Sequence, residues 1–361
     1  MGNFDRVFLL KYLQRVIPSA PPSSAPHAAT LWSHRRVFLT GGTGLLGSHL
    51  AAALVQLGAE CVVLIRDDLP HALLNTSKTV ERVVGVRGSL QDGALLGRIL
   101  NEYEISTVFH LAAQTLVGCA HRDPKATFES NVAGTWNLLD ACRQNSSYLE
   151  AILVASSDKA YGNLHGSAYD ETHPLQGRYP YDVSKSCADL IAQSYVHTYG
   201  LPIGITRCGN FFGGGDLNFS RLVPGTIRSI LWGESPKIRS DGTYIRDYLY
   251  VEDGVQAYLT LAEALLRPKS PSVERLVGEA FNFSYGLRLS ATQVVEKILQ
   301  AMDSDLTPEI LGTAKAEIPE QTLDSSKAKQ RLGWAPHYGF DQGLQRTIAW
   351  YKNHLQHATA R

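Results

Sequence analysis

The stretch RVFLTGGTGLLGSHL, residues 36–50, decides the fold. Val37 to Thr40 continue an apolar run short enough for a strand buried on both faces. Gly41, Gly44 and Gly47 follow at three-residue spacing, and residues 44–57 then read as a helix. Glycine permits the tight turn and lets the backbone amides at a helix start come close to a bound pyrophosphate. A glycine triplet alone is a weak signal. With a strand before it and a helix after it, the triplet reads as the first turn of a dinucleotide-binding unit.

Working outward, short apolar strands alternate with helical segments: CVVLI (61–65), RVVGVRG (82–88) before a helix over 91–102, STVFHLAA (106–113) before a helix over 124–144, and EAILVASS (150–157). That alternation specifies an α/β fold, a Rossmann-type doubly wound parallel sheet covered by helices on both faces. After Leu201 the pattern loosens into the glycine-rich CGNFFGGGD (208–216). The expected organisation is a dinucleotide-binding domain over 35–207 and, over 208–361, mainly a smaller α/β substrate-binding lobe with some segments returning to the first domain. Residues 1–34 form an N-terminal extension. NFDRVFLLKYLQRVI (3–17) has helical periodicity, and PSAPPSSAPHAAT (18–30) reads as a disordered linker. Docking of that helix on the protein is preferred to attachment at a membrane surface, and Arg6 stands where a myristoylation signal wants Ser or Thr.

Lys and Arg number 34 and Asp and Glu number 34, with a pI near 7.2, so no global field would gather nucleic acid or an acidic membrane. Bound anions must be met by locally placed basic groups. The five cysteines (61, 119, 142, 187 and 208) form no CxxC pair and no metal-ligand spacing. They read as small buried side chains in a reducing compartment, with no metal expected. No apolar run reaches the ~18 residues of a membrane span and no signal-peptide pattern is present, so the expectation is a soluble, cytoplasmic protein.

The polar cluster Ser156-Ser157-Asp158-Lys159 directly follows the apolar run Ala151 to Ala155, where parallel sheets place their chemistry. In YPYDVSKSCADLI (179–191), Tyr181 and Lys185 lie one helical turn apart and so on one face. At the end of the second strand Arg66 stands beside Asp67. An acid there bonds ribose hydroxyls, which points to NAD, and an arginine tolerates a 2′-phosphate, which keeps NADP as the alternative.

With the glycine loop and the YxxxK pair in place, the chain resembles the extended short-chain dehydrogenase/reductase family of nucleotide-sugar epimerases and dehydratases, over residues 36 to about 350. HLAAQTLV (110–117), NVAGTWNLLDA (131–141), SSDKAYG (156–162) and GNFFGGGDLNFSRLVPGTIRS (209–229) are most similar to the CDP-glucose 4,6-dehydratases. SDGTYIRDYLYVEDGVQAY (240–258) resembles instead the dTDP-glucose dehydratases and the epimerases, and GSL (88–90) departs from the usual Gly-Asp-hydrophobic. Arg66 resembles the arginine of NADP-using GDP-mannose dehydratases.

The resemblance implies a cofactor held by Gly41, Thr43, Gly44, Leu45, Leu46, Gly47, Arg66, Asp67, Ser89, Leu90, Leu111, Ala112, Ala113, Tyr181 and Lys185. Gln114, Asn210, Arg221 and Arg246 would meet a nucleotide-sugar substrate. His110 reads as a packed core histidine, Trp334 in RLGWAP (331–336) as a packing anchor, and Asp216 has no assigned role. A homodimer through the helices around 124–144 and 181–199 is also implied.

A 4,6-dehydratase removes water across C5 and C6 after a temporary oxidation at C4, then returns the hydride to C6. That chemistry needs a base for the 4-hydroxyl, a base for C5–H and an acid for the 6-hydroxyl. Tyr181 fits the first role if Lys185 and a nicotinamide cation lower its pKa. Ser157 fits a hydrogen bond to the 4-oxygen, and Asp158 fits the acid if burial keeps it protonated. Lys159 stands where the dTDP-glucose enzymes carry glutamate and, by resemblance, the CDP-glucose enzymes carry lysine. It is expected to be the C5 base, neutralised by desolvation and by the cations Lys185 and nicotinamide. The plain alternative is an Asp158–Lys159 ion pair at a strand end. Other readings are a 4-epimerase, a dehydratase of UDP-, GDP- or dTDP-hexoses, and a non-catalytic cofactor binder. The last conflicts with the presence of Ser157, Tyr181 and Lys185 together.

Overall fold

A computed structural model describes residues 31–163, 168–267, 276–313 and 317–358. Seven parallel strands form the central sheet: β1 (Arg36–Thr40), β2 (Glu60–Ile65), β3 (Val84–Arg87), β4 (Thr107–His110), β5 (Ala151–Ala155), β6 (Ile203–Cys208) and β7 (Ala280–Phe283). Their order is β7-β6-β5-β4-β1-β2-β3, so the winding reverses between β1 and β4. Loops leaving those two strands diverge there and open a crevice at the carboxyl edge of the sheet.

Alternate residues of each strand feed two apolar layers, as the two-residue period of a strand requires. Val37, Leu39, Val63, Phe109 and Leu153 face helices α1 (Leu45–Gln56) and, further along the chain, Val251–Leu266. Phe38, Val62, Val108, Ile152 and Ile205 face the other layer, which includes Leu96, Leu138 and Ala192. Those three lie on α2 (Gly93–Glu102), α3 (Gly134–Gln144) and α4 (Pro180–Tyr199). Residues 124–144 are helical throughout, with a π-turn at Glu129–Ala133.

The proposed helix over 3–17 and the linker over 18–30 lie outside the described residues. The end of the assigned extension belongs to the core: Trp32 is fully buried, its ring 6.1 Å from that of Phe109, and its indole N–H donates to Glu263 at 2.9 Å.

The smaller lobe carries three two-stranded pairings: Asn210–Phe212 with Tyr248–Tyr250, Ile245–Arg246 with Leu289–Ser290, and Lys237–Ile238 with Glu309–Ile310. Helices α5 (Leu222–Leu231), α6 (Val251–Leu266), α7 (Ala291–Ala301) and α8 (Gly339–Ala358) follow in order. Phe212, Ile227, Tyr250, Ile298, Phe340 and Ile348 form this lobe's own core. The start of α7 is fixed by a capping box, Ser290 accepting from the Gln293 amide and Gln293 from the Ser290 amide. Among the described residues no helix is long and apolar enough to cross a membrane.

Candidate active site

A cavity of about 1280 Å³ runs from the β1–β4 crevice into the smaller lobe. Its walls include every candidate residue named above except Gln114.

At the crevice end the glycine loop is built for close approach. Gly41 has φ +75°, and a Cβ placed there would lie 2.7 Å from the Ala112 amide nitrogen of the loop after β4. A Cβ on Gly47 would lie 2.1 Å from the Gly41 carbonyl oxygen, so the turn and α1 pack only if both stay glycine. Helix α1 has no side-chain cap and no acid in its first turn. Its orphan amides and positive dipole end are thus left to a bound anion, which fits a dinucleotide pyrophosphate. At the end of β2, Arg66 donates from Nε to Asp67 at 2.7 Å, and both side chains are more than half exposed.

His110 behaves as a core residue. One ring nitrogen lies 2.9 Å from Thr40 Oγ1 and the other 3.0 Å from Thr135 Oγ1. Burial, aided by Lys185, pushes its pKa down to about 3, so the ring is neutral and cross-links the carboxyl ends of β1 and β4.

The catalytic candidates converge where β5 ends. Ser157 caps the 3-10 turn Asp158–Tyr161, its hydroxyl accepting from the Lys159 amide at 3.2 Å and donating to Asp158 at 2.9 Å. Lys159 Nζ lies 3.3 and 3.2 Å from the two Asp158 oxygens, with Asp158 buried and the Lys159 side chain 11% exposed. Tyr181 and Lys185 come from the first turns of α4, and the Lys185 ammonium donates to the Ala155 carbonyl at 2.8 Å, clamping the helix to the end of β5.

Burial pushes the Lys185 pKa down to about 8. It also lowers that of Lys159, with Arg246 adding to the effect while Asp158 and Asp182 oppose it. The assisting cation at Lys159 is therefore Arg246, where the sequence pointed to Lys185. A second correction concerns Tyr181. Burial first, then the Asp158 carboxylate, hold the phenol above its ordinary value against a hydrogen bond with Ser157. The protein's own groups do not lower it toward neutrality, so any lowering must come from a cationic ring bound beside it.

Gln114 does not line the cavity. Its Oε1 accepts from the Leu116 amide at 2.9 Å, and its backbone is held by Asn131 through bonds of 2.6 and 3.0 Å. Its side-chain oxygen is thus engaged within its own loop.

Asn131 was missed by sequence reasoning. It sits in the π-turn and also donates to Ser184 on α4 at 2.9 Å, so one buried amide ties the loop after β4 to the helix carrying Tyr181. The only signal for it was its place at the head of NVAGTWNLLDA.

In the smaller lobe, Arg246 pairs with neither Asp247 nor Asp253. It donates to the carbonyls of Ile245 at 2.9 Å and Pro319 at 3.3 Å and faces Glu317 at 3.4 Å. Arg221 donates to Asp216 at 2.9 Å and to Thr115 at 3.1 Å, which gives Asp216 a partner. Asn210 lines the cavity from the strand Asn210–Phe212. The GGGD turn is closely packed, since a Cβ on Gly213 or Gly214 would lie 2.3 Å from Val251 and 2.4 Å from Trp350 respectively. Trp334 is buried edge-on to Phe283, a packing anchor. Among the described residues no His, Cys, Asp and Glu cluster could hold a metal ion.

A family described as GDP-mannose 4,6 dehydratase matches residues 38–347. A dTDP-glucose 4,6-dehydratase of Xanthomonas campestris pv. campestris is 32% identical, covering 87% of this chain and 92% of its own. A CDP-glucose 4,6-dehydratase of Salmonella typhimurium is 30% identical, covering 89% and 91%. Among solved structures, DesIV, a dTDP-glucose 4,6-dehydratase of Streptomyces venezuelae with NAD bound, superposes with a TM-score of 0.77 at 27% identity, covering 88% of this chain and 97% of that one.

Proposed function

The chain belongs to the nucleotide-sugar dehydratase and epimerase family of extended short-chain dehydrogenases/reductases, and from that premise we propose that it is an NAD-dependent 4,6-dehydratase of a nucleoside-diphosphate hexose. CDP-glucose is the leading substrate, and the product is the 4-keto-6-deoxy sugar. The observation that carries this reading is the buried Asp158–Lys159 pair beside Ser157 and Tyr181. Interconversion at C4 alone requires no acid or base at C5 and C6, so a 4-epimerase has no use for such a pair.

NAD, held at the loop of Gly41, Gly44 and Gly47, would supply the acceptor for the C4 hydride and its donor to C6. The rest falls to the chain. Tyr181 takes the 4-hydroxyl proton, with Ser157 holding the 4-oxygen. One proton moving from Lys159 to Asp158 turns the ion pair into a neutral amine and a carboxylic acid, with no proton gained or lost. Burial of Lys159 favours that shift, because it disfavours the ammonium form. The amine then takes the C5 proton and the acid protonates the departing 6-hydroxyl, which regenerates the ion pair. As the hydride returns to C6, the Lys159 ammonium, exchanged with solvent, gives a proton to C5, and the proton that Tyr181 took from the 4-hydroxyl makes up the one lost. Asn210, Arg221 and Arg246 are assigned to the nucleotide diphosphate, where arginine's planar fork suits phosphate oxygens. Lysine at position 159, together with the similarity to a CDP-glucose enzyme, supports CDP-glucose.

Mass spectrometry tests the reading. The purified protein with NAD is offered CDP-, UDP-, GDP- and dTDP-sugars in deuterated water. Loss of one water with deuterium gained at C5 from one donor supports a dehydratase and identifies its substrate. An unchanged mass with an altered sugar configuration means an epimerase, and leaves Asp158–Lys159 a structural pair.

Phe128, Trp136, Leu190 and Tyr199 are exposed on the two helices assigned to a dimer, between 36% and 53% each, which supports a homodimer. Light scattering at the mass of one chain would overturn it. The described cysteines are all unpaired, consistent with the proposed cytoplasmic location.

A further inference from the structure

The turn Gly213–Asp216 is fixed at both ends. The Gly214 carbonyl accepts from His49 of α1 at 2.8 Å, and the Asp216 carbonyl accepts from the Tyr351 hydroxyl of α8. The three glycines allow this, because side chains at Gly213 and Gly214 would strike Val251 and Trp350 and Gly215 has φ +92°. Asp216, only 4% exposed, therefore projects from a rigid bracket attached to the helix that begins at the cofactor loop. Its Oδ1 accepts from the Asn218 amide at 3.1 Å, and its Oδ2 accepts from Arg221 Nη1 at 2.9 Å. The other terminal nitrogen of Arg221 reaches Thr115, after β4, at 3.1 Å. Arg221 is thus held from two sides at the cavity wall, with part of its five-donor fork still free.

We infer that Asp216 is a positioning residue that fixes the Arg221 guanidinium in one orientation toward the substrate's diphosphate. The inference rests on the proposed function, in which Arg221 meets phosphate. Two effects of Asp216 oppose each other. Its negative charge repels a diphosphate, whereas its hold on Arg221 removes the rotamer freedom that binding would otherwise have to freeze. Positioning and charge therefore predict opposite signs for removing the carboxylate.

The experiment is calorimetric titration of the NAD-saturated protein with CDP, UDP, GDP and dTDP, and with the matching nucleosides. Arg221→Ala should weaken the nucleoside diphosphate that binds best by 10-fold or more and leave its nucleoside unchanged. Asp216→Asn should do the same. Asp216→Glu, which keeps the charge and displaces it by one methylene, should weaken the diphosphate at least 5-fold. Diphosphate binding that is unchanged or tighter in both Asp216 variants, with Arg221→Ala still weak, overturns the positioning role alone. Wild-type affinity in Arg221→Ala removes the phosphate assignment and this inference with it. Should Asp216→Asn fail to fold, Asp216→Glu and Thr115→Val, which removes the second anchor and should weaken the diphosphate several-fold, decide between the outcomes. The expected pattern in a protein that dehydrates no sugar would keep Asp216 in its role and defeat the dehydratase reading.

Discussion

Lys159 Nζ faces both carboxylate oxygens of Asp158, at 3.2 and 3.3 Å, with neither side chain more than about a tenth exposed. A pair this buried is an expensive way to secure a strand end, since desolvation of both ions offsets most of their attraction. Its expected use is proton transfer. Lys159→Ala should abolish water loss while C4 oxidation persists, seen as protein-bound NADH by absorbance when a sugar nucleotide is added. The variant also leaves Asp158 buried without its cation, a loss of about 3–5 kcal/mol. Asp158→Asn/Lys159→Met, which removes both charges, should recover stability without recovering dehydration. Dehydration retained in either variant refutes Lys159 as the C5 base.

A second buried pair has no catalytic group in it. Arg207 of β6 donates to both oxygens of Asp189 on α4, at 2.8 and 3.1 Å, and to the Tyr161 hydroxyl at 2.9 Å. Tyr161 in turn donates to Asn282 of β7 at 2.8 Å. Arg207→Met leaves a fully buried carboxylate with the neutral Gln193 amide, at 2.8 Å, in place of its cation and should cost about 3–5 kcal/mol, whereas Arg207→Met/Asp189→Leu should lie close to wild type. Urea unfolding of the two variants reads the difference directly. Equal midpoints would mean that Asp189 finds another partner. Because α4 also carries Tyr181 and Lys185, the single variant should lose sugar oxidation in proportion to its unfolded fraction.

These two pairs mark how far the sequence could be read. Asp158–Lys159 was legible because its partners are adjacent and follow a recognisable buried strand. Asp189–Arg207 was not, because it joins a helix to a strand across 18 residues and nothing local distinguishes either residue. The sheet, the glycine turn and the YxxxK face were readable from period and spacing, which act over one or two turns. Trp32 was hidden because it borders a Pro- and Ser-rich stretch, and only the tertiary packing shows it against Phe109. The direction of the Tyr181 shift also escaped. Desolvation depends on the whole cavity wall, and burial outweighs the cation Arg221.

Asp182, next to Tyr181, carries a pH dependence. It is buried, and one oxygen has no hydrogen-bond partner among the described residues. Burial pushes its pKa up to about 6, with Lys159 and a Tyr179 backbone hydrogen bond opposing. An unfolded aspartate titrates near 3.9, so between about pH 4 and pH 6 the folded state binds more protons than the unfolded one. The stabilisation is complete below about pH 4 and is lost as pH rises through about 6. Asp182→Asn should remove that slope and gain up to about 3 kcal/mol over wild type at pH 8. Thermal melts across this range check it, and parallel curves for the two proteins would show that Asp182 is not the group responsible.

Arg66 and Asp67 hold each other at the end of β2, where a dinucleotide's ribose would lie. An exposed pair of this kind is worth only about 0–1 kcal/mol, so either partner can be freed cheaply. Asp67 is expected to favour NAD twice over, by accepting from the ribose hydroxyls and by occupying the arginine that would receive a 2′-phosphate. Asp67→Asn should release Arg66 and shift the ratio of NADPH to NADH affinity at least 10-fold toward NADPH. Arg66→Ala should shift it the other way, because only the repelling carboxylate is left. Fluorescence titrations with the two reduced cofactors measure both ratios. If neither variant moves its ratio by more than twofold, the pair is a surface contact, and the choice of cofactor lies with residues farther along the cavity wall.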